Sequence, residues 1–156
     1  LYVVVGDYTL DSSHYLYGSQ SEMLDIYNKG KELLGNNVLF TGGVNNTSDY
    51  LKAADFFILN SSKEGMPNVL LESMASGLPS IVKRLPGVDN YITFHNDNAL
   101  VIDNMEGLDT AISDLLRDGE LRSKLGKNAR DFIVKDYSLA SVASLIEKEL
   151  LWKKSI

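Results

Sequence analysis

Residues 56–79 read Phe56-Phe57-Ile58-Leu59-Asn60-Ser61-Ser62-Lys63-Glu64-Gly65-Met66-Pro67-Asn68-Val69-Leu70-Leu71-Glu72-Ser73-Met74-Ala75-Ser76-Gly77-Leu78-Pro79. The first four are apolar on both faces, the pattern of a strand covered by helices on each side, and this reading sets them in the middle of a parallel sheet. A polar loop follows. A helix is then expected over 67–75, with proline at its first position, where the fixed φ suits a helical turn, and Gly77 as its stop. In an open parallel sheet such a loop and helix tip lie at the carboxyl edge, where ligands bind.

Outward from this unit, apolar runs at 1–5, 38–40, 80–82 and 99–102 are the other strand candidates, alternating with stretches of helical period. Ser19 and Glu22 stand at capping-box spacing before a helix over 21–34, in which Met23, Leu24, Ile26, Tyr27, Leu33 and Leu34 recur at helical intervals. Asn36-Asn37 ends it. Thr41-Gly42-Gly43 forms a turn into a short helix at 47–54. Three amphipathic helices follow near 105–117, 119–135 and 138–151, with Asn104 and Ser138 as N-caps. The fold class is α/β, a Rossmann-like parallel sheet with helices on both faces.

The bulk composition narrows the function. The 156 residues are read as one domain, 44% apolar and 23% charged. No apolar run approaches the roughly 18 residues of a membrane span. A net charge of −6 argues against a nucleic-acid partner, because that binding rests on Lys and Arg neutralising phosphates. Any phosphate must then be gripped locally. The absence of cysteine excludes disulfides and thiolate metal sites and fits the cytoplasm, with peripheral contact at the inner membrane face left open. The chain opens on a strand pattern without an initiator Met, so it is read as a piece of a longer enzyme.

The chemistry concentrates at 64–72. A helix beginning at Pro67 directs its unpaired amides and the positive end of its dipole into the crevice. Asn68, Val69 and Leu70 are the candidate backbone donors to a phosphate. Gly65, Met66 and Pro67 form the tight approach to them. Glu64 in the loop suits a hexose, and Glu72 in the helix suits the vicinal diol of a ribose. The plain alternative is that Glu in early helical turns complements the dipole and that this is ordinary helix-start chemistry. A glycosidase pair is disfavoured, since its carboxylates must face one bond across roughly 5 to 9 Å.

The stretch 64–79 resembles the E-x7-E signature of retaining glycosyltransferases of the two-domain GT-B type, the GT4 group in particular. Tyr2-Val3-Val4-Val5-Gly6-Asp7 is similar to the strand and turn that open that family's donor site, and Val38-Leu39-Phe40-Thr41-Gly42 to its second strand. Tyr50 to Ser62 resembles the run "l-x-x-A-D-v-f-v-l-P-S", and Asn96 to Val101 a later "g-x-N-G-x-L-V" turn. The resemblance covers residues 1 to about 140 in order.

It implies that residues 1–156 are a nucleotide-sugar-binding domain, the C-terminal half of a chain whose N-terminal acceptor domain lies outside this sequence. Glu64 would contact the transferred sugar, the amides of Asn68 and Val69 the distal phosphate, and Glu72 the ribose. Gly43 and Val44 would lie against the base, with Gly6 in the opening turn. The implied reaction transfers a glycosyl unit from a donor such as a UDP- or GDP-sugar to a glycan or glycolipid, in polysaccharide or glycolipid biosynthesis. Configuration would be retained, with no metal and no other cofactor. The departures are Tyr8 after Gly6-Asp7, a long polar 7–18 stretch, one glycine in Leu85-Pro86-Gly87-Val88-Asp89-Asn90, and Ala99 in place of glycine. The family's phosphate-binding Arg and Lys would precede Leu1.

Other residues are read more plainly. Lys83 and Arg84 could reach a phosphate or an acceptor, or be solvated; His14 and His95 read as exposed, without a second ligand at metal spacing. Tyr8, Tyr15 and Tyr17 read as packing on their own domain. Leu139, Val142, Leu145, Ile146, Leu150 and Trp152 form a docking helix face, and Lys153-Lys154 is too short for a membrane patch. The rival readings are a nucleotide-sugar epimerase of the same shape and a non-catalytic Rossmann-type binding module. No G-x-G-x-x-G follows the first strand and no G-x-S-x-G elbow exists.

Overall fold

The computed structural model describes residues 1–6 and 20–152. The capping box at Ser19, His14, the three loop tyrosines and Lys153-Lys154 lie outside them. The chain divides into two compact units, Leu1–Thr47 and Ser48–Ile156.

In the first unit, β1 (Tyr2–Val4) and β2 (Val38–Phe40) pair in parallel, Val3 opposite Leu39, with helix α1 (Gln20–Leu34) between them in sequence. Helix α1 closes through a 3₁₀ turn at Gly35–Asn37. The helix rests on β2 through Tyr27 and Phe40, whose rings meet edge to face at 4.7 Å. A side chain at Gly30 would come within 2.9 Å of the Phe40 ring. Beyond the strands, the Thr41 N–H donates to the Val4 carbonyl and the Gly6 N–H to that of Gly42. The latter glycine sits at φ +71°, the region that favours glycine.

The second unit holds α2 (Thr47–Ala53, entered at the unit boundary), β3 (Phe57–Leu59), α3 (Asn68–Ala75), β4 (Ser80–Lys83) and β5 (Leu100–Ile102). Helices α4 (Met105–Arg117), α5 (Gly119–Asp136) and α6 (Leu139–Trp152) complete it. The strands are all parallel in the order β3-β4-β5, with Ile58, Ile81 and Leu100 in one row. Alternation along β4 sends Ile81 and Val82 to opposite faces. Val82 joins Leu70 and Met74 of α3 and Ala129 and Ile133 of α5, whereas Ile81 joins Leu108, Ala111 and Leu115 of α4 and Leu125 of α5. Helices therefore cover both faces, as the apolar runs require.

The sequence reading needs one correction here. Within its sheet, β3 is a border strand and β4 holds the middle. Apolarity on both faces reports cover by helices above and below, not neighbours on both edges. The central strand is disguised because it opens with Ser80, which is fully buried. The helix ends follow their expected chemistry: Asn104 Oδ1 accepts from the Gly107 N–H at 2.8 Å, and the Ser138 hydroxyl from the Ser141 N–H at 3.2 Å. Asp118 adds a cap for α5 at Leu121, 2.8 Å. Among the described residues no helix is long and apolar enough to cross a membrane.

Helix α3 meets α5 at two glycines. A Cβ on Gly126 would lie 2.2 Å from the Gly77 carbonyl oxygen, so the backbones touch directly. Helix propensity alone favours Gly126→Ala by about 1 kcal/mol. The collision dominates, and the variant is expected to lose about 2 kcal/mol or more. Urea unfolding checks this; a midpoint equal to or above that of the native chain would refute the contact.

Candidate functional site

Strand β3 ends at the buried Leu59 and releases the loop 60–67 at the carboxyl edge of its sheet. Asn60, just past the strand, reaches the Met105 sulfur at the start of α4, Nδ2 to Sδ 3.9 Å. Glu64 is half-buried and Gly65 and Met66 are exposed. Gly65 is not required by backbone strain: its φ is not positive, and a Cβ placed there would meet nothing within 4 Å. The expectation of a glycine-dependent tight turn at this residue is corrected accordingly. The left-handed glycines of this unit are Gly77 and Gly87.

The helix tip also differs in detail from the sequence expectation. Pro67, buried, is the N-cap and not the first helical residue, with ψ 82°. Lacking a side-chain cap, it lends its carbonyl to the N–H groups of Leu70 (2.9 Å) and Leu71 (3.2 Å). The Asn68 N–H turns back onto the Met66 carbonyl at 2.9 Å. Of the three candidate donors, Asn68 and Leu70 are thus engaged within the chain, because the loop curls tightly enough for its own carbonyls to reach the helix start. The amide of Val69 has no acceptor among the described residues, and Val69 is 37% exposed. Glu72 projects on the exposed side of α3, opposite the buried Leu70, Ser73 and Met74. Neither the Glu64 nor the Glu72 carboxylate forms a hydrogen bond or ion pair among the described residues.

What holds the tip in place is at the other end of the helix. The N–H groups of Gly77 and Leu78 donate to Met74 (2.9 Å) and Ser73 (3.1 Å), a Schellman closure with Gly77 at φ +76°. The guanidinium of Arg130 donates to the Ala75 carbonyl. Inside, the Ser73 hydroxyl donates to the Leu70 carbonyl at 2.8 Å and lies 3.2 Å from the Ser80 hydroxyl, itself 3.3 Å from the Leu78 carbonyl. These two serines tie α3 to β4, and nothing in the sequence reading singled them out. Burying a hydroxyl requires a partner, and each serine has both a carbonyl and the other hydroxyl within reach.

At the end of β4, Lys83 is half-buried and Arg84 is exposed, its guanidinium engaged by carboxylates rather than left free for a phosphate. Its guanidinium pairs with Asp89 and, through Nε at 2.6 Å, with Asp103. The Asp103 hydrogen bond and then the Asp89 charge raise its pKa further above the arginine range, so it stays a cation throughout. The following turn is self-contained: Leu85, Val88, Ile92 and Thr93 are buried, and Asn98, also buried, accepts from the Phe94 N–H (2.7 Å) and donates to the Ile92 carbonyl (2.9 Å). His95 is exposed and uses Nδ1 to accept from the Val101 N–H at 3.0 Å, a structural bond.

Gly6, Gly43 and Val44 belong to the first unit, on the segments leaving β1 and β2. There Gly43 is exposed and Val44 half-buried. A hollow of about 540 Å³ in the second unit lies between β5 and α4 against His95, Asp103, Glu106 and Asp114, and no predicted site residue lines it. Among the described residues no group of three His, Asp or Glu side chains is arranged to hold a metal ion.

The family model described as "Glycosyl transferases group 1" matches residues 2–132. The chain is 30% identical over 141 residues to the N-acetyl-alpha-D-glucosaminyl L-malate synthase of Bacillus anthracis, covering 88% of this chain and 37% of that protein. It is 30% identical over 142 residues to the UDP-Gal:alpha-D-GlcNAc-diphosphoundecaprenol alpha-1,3-galactosyltransferase of Escherichia coli, covering 88% and 36%. It thus spans well under half the length of these relatives. The crystal structure of Anabaena Alr3699/HepE in complex with UDP-glucose superposes with a TM-score of 0.80 over 95% of this chain and 40% of that one; at 20% identity the likeness is one of fold.

Replacing either Ser73 or Ser80 by Ala removes the bond between the two hydroxyls while the remaining serine keeps its carbonyl partner, and is expected to cost about 0.5 to 1.5 kcal/mol. The double replacement should cost less than the two single losses added together. Urea denaturation of the three variants tests the pair, and strict additivity would show that the two hydroxyls do not interact.

Proposed function

Because the chain belongs to the group 1 glycosyltransferases and has the mixed α/β fold of their GT-B members, we propose that it holds a nucleotide-sugar donor at the tip of α3. The observation that carries this reading is the combination at that tip: among the described residues the Val69 amide has no acceptor, and the Glu64 and Glu72 carboxylates on either side of it have no hydrogen-bond or ion-pair partner. An open N–H at a helix N-terminus takes the distal phosphate. Glu64 then receives the hydroxyls of the sugar and Glu72 those of the ribose, in charge-assisted hydrogen bonds. The empty space before Gly65 admits the ligand close to the backbone, and Asn68 joins by exchanging its bond to Met66 for one to phosphate. Gly6, Gly43 and Val44 are assigned to the nucleotide as well, the last two to its base.

In this reading the longer enzyme transfers a glycosyl unit, with retention and without a required metal, to the hydroxyl of a glycan or glycolipid bound by a further domain. Support for a uridine nucleotide comes from the relatives, one named for UDP-Gal and one crystallised with UDP-glucose. Acting by itself, the 156-residue chain binds nucleotide weakly and is catalytically silent.

Titration calorimetry with UDP, GDP and ADP tests the donor site; no heat with any of them at millimolar ligand would sink it. Glu72→Ala is expected to weaken every nucleotide by roughly tenfold or more, the loss of one charge-assisted hydrogen bond. Glu64→Ala should leave UDP binding intact and abolish the difference between UDP and UDP-sugar. Should both variants bind all nucleotide sugars as the native chain does, the two roles are misassigned.

A further inference from the structure

Arg84 stands one residue past β4, at the carboxyl edge of the β3-β4-β5 sheet where the loop 60–67 also begins. A lone arginine beside an anion site invites a role as phosphate ligand. Its surroundings oppose that: the fork is already occupied by two carboxylates, Asp89, whose side chain is 12% exposed, and Asp103, 67% exposed. The three groups come from different places. Asp89 lies in the turn after β4, Asp103 one residue past β5, and the Arg84 N–H donates to the Ile102 carbonyl at 2.7 Å. The planar guanidinium thereby ties two strand ends and a turn in one geometry.

The turn it holds is itself stiff. Asp89 and Val88 donate to the Leu85 carbonyl, Ile92 to that of Val88, and Asn90 to that of Thr93, while Gly87 and Asn90 adopt positive φ. Fixing one side chain therefore fixes the whole 85–93 segment relative to the sheet. We infer that Arg84 is a positioning residue, which sets the 85–93 turn as a rigid border of the donor crevice through Asp89 and Asp103 and does not itself bind phosphate. The inference rests on the donor reading given above.

The test compares the native chain with R84A, R84K and the double variant D89N/D103N, by UDP calorimetry and by amide hydrogen exchange. Positioning predicts that R84A and D89N/D103N weaken UDP to the same extent, about tenfold, with R84K in between. The amides of residues 88–93 should exchange several-fold faster in both while those of α5 are unchanged. A direct phosphate ligand predicts the opposite split, since removing the carboxylates frees the guanidinium: UDP binding kept or tightened in D89N/D103N and lost in R84A would overturn the inference and leave the donor site standing. Unaltered exchange at 88–93 in D89N/D103N, or unaltered UDP affinity in all variants, would overturn it too. A native chain silent toward every nucleotide would remove the donor reading and this inference together.

Discussion

Helix α3 lies where it does because the backbone of α5 carries no side chain at Gly126, where the Gly77 carbonyl comes to rest. The approach sets the C-terminal end of α3 at backbone distance from α5, and everything nearby is built to that distance. The Schellman closure aims the Gly77 carbonyl, Arg130 takes the Ala75 carbonyl that the helix end leaves over, and Ser73 meets Ser80 on the inner side. Close packing does not deform gradually. A shift of α3 by the width of a methyl group would disturb all of these at once, together with the Leu70 and Met74 contacts to Val82.

The two opposed views of Glu64 and Glu72 become compatible once the tip is described. A carboxylate near a helix N-terminus gains from the dipole whether or not a ligand is present. Here that gain is available without an ion pair: among the described residues no cation pairs with either residue, whereas Arg84, one of the two basic residues that the sequence offered to a phosphate, is committed to two aspartates. The carboxylates are left able to accept from neutral hydroxyls, and the positive character near them comes from an amide. In the donor reading, a chain with net charge −6 receives its anion on a backbone amide and not on Arg84.

Much of this was legible from residues 56–79 and their counterparts because the cues are local. Apolar runs located the five strands of the described residues, and Asn104 and Ser138 start their helices and Gly77 ends its own as their side chains or lack of one dictate. The features that escaped depend on partners distant in sequence. Ser73 and Ser80 look like surface residues until they face each other, Gly126 looks like a weak point in a helix until Gly77 arrives, and Arg84 has partners 5 and 19 residues away. The position of β4 in its sheet was hidden for the same reason. At the site, the motif named the segment, but which amide stays open follows from the path of the loop that lets the Met66 carbonyl reach Asn68.

The unequal ends of α3 bear on how such a site can change over time. Its C-terminal end is shared with α5, β4 and the buried serines, while the loop before its first turn has an exposed Gly65 and Met66, with open space at Gly65. Substitutions at 60–66 can thus accumulate without disturbing the interior, and a lineage could exchange one preferred ligand for another by altering that loop while inheriting the helix unchanged. In the donor reading, recognition and architecture meet in a single eight-residue helix, but at opposite termini, so that selection can act on one with little consequence for the other.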